Sequence, residues 1–148
     1  MALRVLAKHS SLLRGSYTAQ AVRWQTTAPT VYDKMIQITV IGKDGHRFPI
    51  RGRIGQTVAE VLRENEDTIG EENICLSPEG RNEFEAHIML PNEFLEHIPH
   101  SSPQDKKYLE EIAPTITKNS RLGSKVTLTK DLNDMRIALG DLYPWKTL

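Results

Sequence analysis

Residues 35–64, MIQITVIGKDGHRFPIRGRIGQTVAEVLRE, contain the patterns of two strands and a helix. In the first part, apolar residues alternate with polar ones at Ile36, Ile38 and Val40. This period of two predicts a strand with one buried face. The Asp44-Gly45 pair that follows is typical of a tight turn, because both residues tolerate the positive φ angles that such turns need. A second, antiparallel strand is therefore predicted over residues 46–51, where Pro49 indicates a sheet edge or a bulge.

The helix signal begins at Thr57. Thr57 and Glu60 have the spacing of a capping box, in which the two side chains accept hydrogen bonds from each other's backbone N–H groups. The apolar residues that follow are spaced for one buried helix face, at Val58, Val61 and Leu62. This pattern predicts a helix that ends near Asn65 and packs one face on the sheet.

The rest of the chain contributes further strands and one more helix. Residues 66–85 are predicted to be a loop, because glycine and proline recur there. We predict a strand at 86–90, a helix that begins at Ser102-Pro103 and ends before Pro114, and two final strands at 125–129 and 135–139. This order of elements indicates an α+β domain, in which a small mixed sheet packs on one main helix.

The N-terminal segment is basic and free of acids. Its bases are Arg4, Lys8, Arg14 and Arg23, and the first carboxylate of the chain is Asp33. Leucines at helical spacing would form an apolar stripe opposite these bases. These features are typical of a mitochondrial transit peptide over residues 1–24, followed by a linker over residues 25–34. The alternative is a disordered basic tail.

The composition excludes several functional classes. The 148 residues carry no formal net charge, so the chain without its N-terminal bases has an excess of acids. An acidic body argues against a nucleic-acid partner, since phosphate binding needs concentrated positive charge. No apolar run approaches the roughly 20 residues of a membrane-spanning helix, so no transmembrane segment is expected. The single cysteine, Cys75, permits no intrachain disulfide, which suits a reducing matrix.

Residues 120–130, SRLGSKVTLTK, carry the most specific pattern in the chain. They resemble the C-terminal signature of adrenodoxin-type [2Fe–2S] ferredoxins, S-R-L-x-C-Q, whose cysteine is the fourth ligand of the cluster. Here the matching position is Ser124. The first strand, the Asp44-Gly45 turn and the glycines before the helix resemble the family as well. The resemblance implies the family's β-grasp fold over residues 35–140, with a C-terminal tail over residues 141–148.

The cluster loop departs from that family. The family carries C-x5-C-x2-C between the helix and the next strand. Alignment on that strand places His87 at the third cysteine and Phe84 at the second, while Cys75 lies near the first. The ligand set implied by the resemblance is therefore Cys75, Phe84, His87 and Ser124. Because a [2Fe–2S] cluster needs four cysteines, or two cysteines and two histidines, we predict no conventional cluster and no electron carriage by that route.

A narrower resemblance covers the runs CLSPEGR, EAH and LPNE, which begin at Cys75, Glu85 and Leu90. They are similar to the ferredoxin-like subunit of plant and algal mitochondrial respiratory complex I. The resemblance implies a non-catalytic bridge between the matrix arm and the membrane arm. It would lie in the matrix, peripheral to the inner membrane, beside the carbonic-anhydrase-like and acyl carrier subunits. The rivals are an electron carrier with atypical cluster ligation and an assembly factor; a catalytic enzyme is the least favoured class.

Cys75 and His87 are the candidate metal ligands. Thiolate and imidazole are typical ligands of a single zinc or iron ion, and both residues coincide with former ligand positions. The other ligands would come from Glu79, Glu85, Ser124, water or a partner. The alternative is a buried free cysteine, which behaves as a small apolar residue, beside an ordinary histidine.

Other candidate residues have structural alternatives. His97 and His100 flank Pro99, and we interpret them as solvated loop residues. Arg121 is expected to have a structural role, such as pairing with an acid. Tyr143 and Trp145 either anchor the C-terminal tail in a partner's pocket or pack back on the domain.

Overall fold

The computed structural model describes residues 28–77 and 84–148. The predicted transit peptide, residues 1–24, and the start of the linker lie outside this part. The described α-helices are α1 (Val58–Glu64), α2 (Glu66–Ile69) and α3 (Pro103–Ile112). The strands are β1 (Met35–Ile41), β2 (Arg47–Arg53), β3 (Cys75–Leu76), β4 (Phe84–Glu85), β5 (His87–Met89), β6 (Ser120–Leu122) and β7 (Arg136–Leu139). Within the described residues, no helix has the length and apolar character that crossing a bilayer requires.

The main sheet is mixed and has the strand order β2-β1-β7-β5-β6. β1 and β2 form the predicted hairpin, closed by a turn in which Gly45 has a φ of 82°. β7 runs parallel to β1, whereas β5 runs antiparallel to both β6 and β7. Pro49 lies in β2, at the edge of the sheet, as its missing N–H requires. The predicted α+β class with a mixed sheet is confirmed.

The main core lies between the sheet and α1. Ile36, Ile38 and Val40 are buried, as the alternation in β1 predicted. The capping box of α1 is formed by Thr57 and Glu60. Gly52 is required where α1 approaches β2, because a Cβ atom there would collide with Val61 and Leu128. A smaller cluster packs beneath α3, and its buried members are Cys75, Leu109, Ile112, Ala113, Leu122 and Leu142.

Two predicted elements are wrong. The predicted strand at 125–129 is not a strand: its first residue ends the 3-10 turn Gly123–Lys125, and Thr127 then forms an isolated antiparallel bridge with Thr57, just before α1. The apolar alternation at Val126 and Leu128 reflects the burial of both side chains. Their backbone carbonyls accept hydrogen bonds from the N–H groups of Val58 and Gly55, which do not belong to a neighbouring strand. The predicted loop at 66–85 contains the short helix α2 and the strands β3 and β4 within its described part.

The C-terminal segment, residues 141–148, packs along the domain. The Leu142 side chain is buried, and the Leu148 N–H donates to the carbonyl of Ile74. The Tyr143 ring stacks on the Trp145 ring with 4.7 Å between centroids. Trp145 nevertheless remains 74% exposed. The backbone therefore follows the second alternative of the sequence analysis, while the indole stays accessible to a partner.

Candidate functional site

Cys75, Glu85 and Ser124 meet where three elements converge. Cys75 in β3 lies directly opposite Glu85 in β4. Ser124 lies in the 3-10 turn after β6, at the position where the resemblance implies the fourth cluster ligand. The Glu85 side chain is 2% exposed and extends from β4 to that turn. We call these three residues the Cys75 corner.

The Glu85 carboxylate organises this corner through three hydrogen bonds. Its Oε1 accepts from the backbone N–H of Ser124 at 3.0 Å and from that of Ala86 at 3.0 Å. Its Oε2 accepts a hydrogen bond from the Ser124 hydroxyl. The hydroxyl of Ser124 is therefore engaged by a carboxylate of the same chain. Glu85 holds the turn in place at the point where the family would hold it by a metal–sulfur bond.

Burial dominates the electrostatics of the corner. Burial raises the pKa of Glu85, although hydrogen bonds from Ser124 and Ala86 and the charge of Lys125 oppose the rise. Burial, followed by the Glu85 charge, raises the pKa of Cys75 to about 12, and the charge of Lys146 opposes this. The thiol is therefore protonated at neutral pH. A protonated, fully buried thiol is a poor nucleophile and must lose its proton before it can bind a metal.

His87 is held by two hydrogen bonds within the domain. Its Nδ1 is 3.1 Å from the Asp141 carbonyl oxygen, which can only accept, so Nδ1 carries the proton. Its Nε2 lies 2.9 Å from the Ser120 hydroxyl. The ring packs on Gly140, where a Cβ atom would collide with it. Burial lowers the pKa of His87, so the ring is neutral. A metal ion could bind Nε2 only after displacing Ser120, and the predicted metal site at Cys75 and His87 stays a prediction.

Phe84, at the second cysteine position of the family, packs beside α1. The Arg63 guanidinium lies over its ring, 4.1 Å from the centroid, in a cation–π contact. Across residues 28–77 and 84–148, no group of three or more His, Cys, Asp or Glu side chains is placed to bind a metal ion. His97 and His100 are exposed, as predicted, but His97 is the last residue of a 3-10 helix, Asn92–His97, and only His100 lies in a loop. The residues present do not fit a [2Fe–2S] cluster, because a phenyl ring, an engaged hydroxyl and an engaged imidazole stand at three ligand positions.

The sequence patterns locate Cys75 and Ser124 but indicate Glu85 only as one of several further metal ligands. Its actual role in positioning Ser124 depends on a contact between residues 39 positions apart. One signal was present, because a carboxylate stands at the start of the apolar run 84–90. A carboxylate that is buried in such a run needs hydrogen-bond donors or a counter-ion, because burying an unpaired charge is costly.

Comparison with known proteins gives a consistent family likeness. No model of a known protein family matches the chain. Adrenodoxin-like protein 1, mitochondrial, from Drosophila melanogaster is 27% identical over 116 residues, which are 78% of this chain and 63% of that protein. Ferredoxin-2, mitochondrial, from Xenopus laevis is 25% identical over 107 residues, which are 72% of this chain and 53% of that protein. The chain thus matches between half and two thirds of these relatives' length.

Solved structures share the fold at lower identity. A ferredoxin from Rhodopseudomonas palustris HaA2 superposes with a TM-score of 0.57 and 17% identity, covering 72% of this chain and 99% of the other. A reduced variant of putidaredoxin from Pseudomonas putida gives a TM-score of 0.54 and 18% identity, covering 71% and 96%. Another putidaredoxin structure of this kind is described as an Fe2S2 ferredoxin. The chain therefore has the fold of the adrenodoxin-type [2Fe–2S] ferredoxins.

Proposed function

We propose that this chain is a non-catalytic bridge subunit of mitochondrial respiratory complex I whose ferredoxin fold holds no conventional [2Fe–2S] cluster. It would lie in the matrix, peripheral to the inner membrane. The observation that carries the proposal is the Cys75 corner, where Glu85 engages Ser124 through its backbone N–H and its hydroxyl. The mitochondrial names of the relatives support the proposed organelle.

The loss of the cluster follows from the number and state of the donors. Four thiolates hold the cluster in ordinary ferredoxins, and this chain has one cysteine. Its thiol is buried and protonated, and the residue at the fourth position is bonded to Glu85. A ferredoxin fold without its redox centre keeps its shape and its surfaces, and these suit a structural role. A metal ion at Cys75 and His87 is not needed for this role.

The bridging role rests on surface features and on the resemblance in the runs that begin at Cys75, Glu85 and Leu90. Carbonic-anhydrase-like and acyl carrier subunits are the proposed neighbours. The exposed Trp145, held by its stack on Tyr143, provides a large aromatic anchor whose orientation is already fixed. Such preorganised aromatic side chains contribute strongly at protein interfaces.

Native-gel fractionation of mitochondria tests this proposal. We expect the protein to migrate with the fully assembled complex, in a stoichiometric amount. Trp145→Ala should weaken that association, whereas Tyr32→Ala, which removes another exposed aromatic ring, serves as the matched control. Presence only in smaller assembly intermediates would support the assembly factor instead. Absence from all forms of the complex would contradict a role as a subunit.

The second candidate is an electron carrier with atypical cluster ligation. The observation that favours it is the name of each relative, since these proteins are called ferredoxins or adrenodoxins. Absorption spectra of the purified protein after incubation with iron and sulfide separate the two candidates. Sulfur-to-iron charge-transfer bands at one cluster per chain would favour the electron carrier. A colourless protein with the same helix content would favour the bridge subunit.

A further inference from the structure

Arg121 is a buried cation that forms no ion pair with any other described residue. It is 9% exposed, and it lies in β6 opposite Ile88. Its Nη1 donates to the carbonyl oxygens of Lys118 at 2.9 Å and of Ser120 at 2.8 Å. Its Nε is buried and has no hydrogen-bond partner within residues 28–77 and 84–148. Among the ion pairs of the described residues, none includes Arg121, so the expected pairing with an acid is not found there.

Two cavities adjoin this guanidinium. The larger has a volume of about 530 Å³, and its polar lining includes His100, Lys106, Glu110, Thr117, Lys118 and Arg121. We call it the Arg121 cavity. A smaller cavity of about 250 Å³ is also lined by Arg121, together with Asp105 and Lys125. Asp105 lines only the smaller cavity and forms no ion pair with Arg121; its carboxylate accepts from the Ser102 N–H at 2.9 Å and caps α3.

The charge of the Arg121 cavity is unbalanced. Lys106, Lys118 and Arg121 face one acid, Glu110, along its wall. A buried guanidinium is unfavourable unless an anion accompanies it, so this arrangement calls for a negatively charged ligand. The volume lies within the usual range for small-molecule sites. The cavity is formed by α3 and the segment around β6, and it does not include Cys75, Glu85 or Ser124.

We propose that the Arg121 cavity binds a small phosphate compound, such as a phosphate monoester. A phosphate group carries close to two negative charges at neutral pH and three acceptor oxygens. The guanidinium contributes a permanent positive charge to the cavity wall, and the ammonium groups of Lys106 and Lys118 can donate charge-assisted hydrogen bonds to the phosphate oxygens. A ligand with a single carboxylate would compensate only one of the two excess positive charges of the cavity. This proposal is independent of the respiratory role, because it rests on charge and space elsewhere in the fold.

Calorimetric titration of the full chain with inorganic phosphate tests the proposal. The reference titration uses sodium chloride at equal ionic strength. Charge screening is then the same in both titrations, and the difference between them reports binding specific to phosphate. We expect Lys106→Gln and Lys118→Gln each to weaken phosphate binding about tenfold, since each removes one charge-assisted contact. Both residues are exposed, so both variants are expected to fold. Lys107→Gln is the matched control, because Lys107 is exposed on α3 but does not line the cavity.

Three outcomes would overturn the proposal. The first is the absence of phosphate binding above the chloride reference, and the second is equal weakening in Lys106→Gln and Lys107→Gln. The third is acetate binding as tight as phosphate binding. Vesicles of phosphatidylcholine with phosphatidic acid provide a second arm. Vesicle binding that Lys118→Gln weakens assigns the site to a lipid headgroup, whereas binding of free phosphate alone assigns it to a soluble compound.

Discussion

The hairpin and first helix, residues 35–64, are stabilised by apolar packing, whereas the Cys75 corner is stabilised by buried polar groups. In the first region, side chains such as Ile38 and Leu62 are completely buried and need no specific partner. In the second, Glu85 must find three hydrogen-bond donors to compensate for its burial. The difference teaches that the ferredoxin scaffold and its cluster site are separable. The apolar core specifies the shape, and the residues of the Cys75 corner can change while the core stays the same.

The largest effect is expected for modification of Cys75, which tests whether the corner is closed. A rise of the pKa from 9.0 to about 12 lowers the thiolate fraction at neutral pH about a thousandfold, and burial slows access further. Iodoacetamide should therefore leave the native protein unmodified over hours by mass spectrometry, and should modify it completely in denaturant. Because Cys75 is the only cysteine, each product is unambiguous. Native modification at the rate of a free thiol would show an open corner.

Leu62→Ala tests the apolar region. Leu62 is fully buried between α1 and the sheet, so the loss of its side chain should lower the free energy of unfolding by about 3 kcal/mol. Urea denaturation followed by circular dichroism measures the change. Leu76→Ala is the control, because Leu76 is 54% exposed and its loss should change stability by less than about 0.5 kcal/mol. Equal effects of the two substitutions would contradict the description of the core.

Glu85→Ala tests the polar region. It leaves the backbone N–H groups of Ala86 and Ser124 and the Ser124 hydroxyl without their acceptor, at a cost of about 2 kcal/mol. The same denaturation experiment applies, with Glu85→Gln as control, since the amide keeps an acceptor oxygen. We expect the glutamine variant to lose less stability than the alanine variant. An unchanged free energy of unfolding in Glu85→Ala would mean that the hydrogen bonds do not stabilise the corner.

The pH dependence of Glu85 is the smallest expected effect. Burial raises its pKa in the folded protein above the ordinary value of 4.5, so the native state keeps a proton that the unfolded chain loses. The stability contributed by Glu85 is complete below pH 4.5 and is lost as the pH rises through the raised pKa. The difference in unfolding free energy between wild type and Glu85→Gln should therefore fall across this range. If this difference in unfolding free energy grew with pH, the pKa of Glu85 would be lowered on folding and not raised.

The apolar region was predictable from sequence, and the polar region largely was not. The alternation of Ile36, Ile38 and Val40 reports burial directly, and the Thr57–Glu60 capping box is a local contact. By contrast, β6 is short and all of its residues are buried, so no alternation marks it. Alternation between positions 126 and 128 predicts a strand, but it reports burial without a sheet partner.

The candidate site shows the same division. Cys75 and Ser124 could be located by their resemblance to ligand positions. The link between Glu85 and Ser124 joins distant segments of the chain, so no local pattern encodes it. The two hydrogen bonds that engage His87 are also tertiary, since one reaches Ser120 and the other Asp141.

Electron paramagnetic resonance of the reduced protein, after incubation with iron and sulfide, tests the central claim most directly. The protein should be purified from cells that also produce an ordinary ferredoxin, as a positive control for cluster loading. We predict no two-iron signal from this chain, because one protonated thiol and two engaged side chains cannot replace four thiolates. A two-iron signal at one cluster per chain would contradict the account.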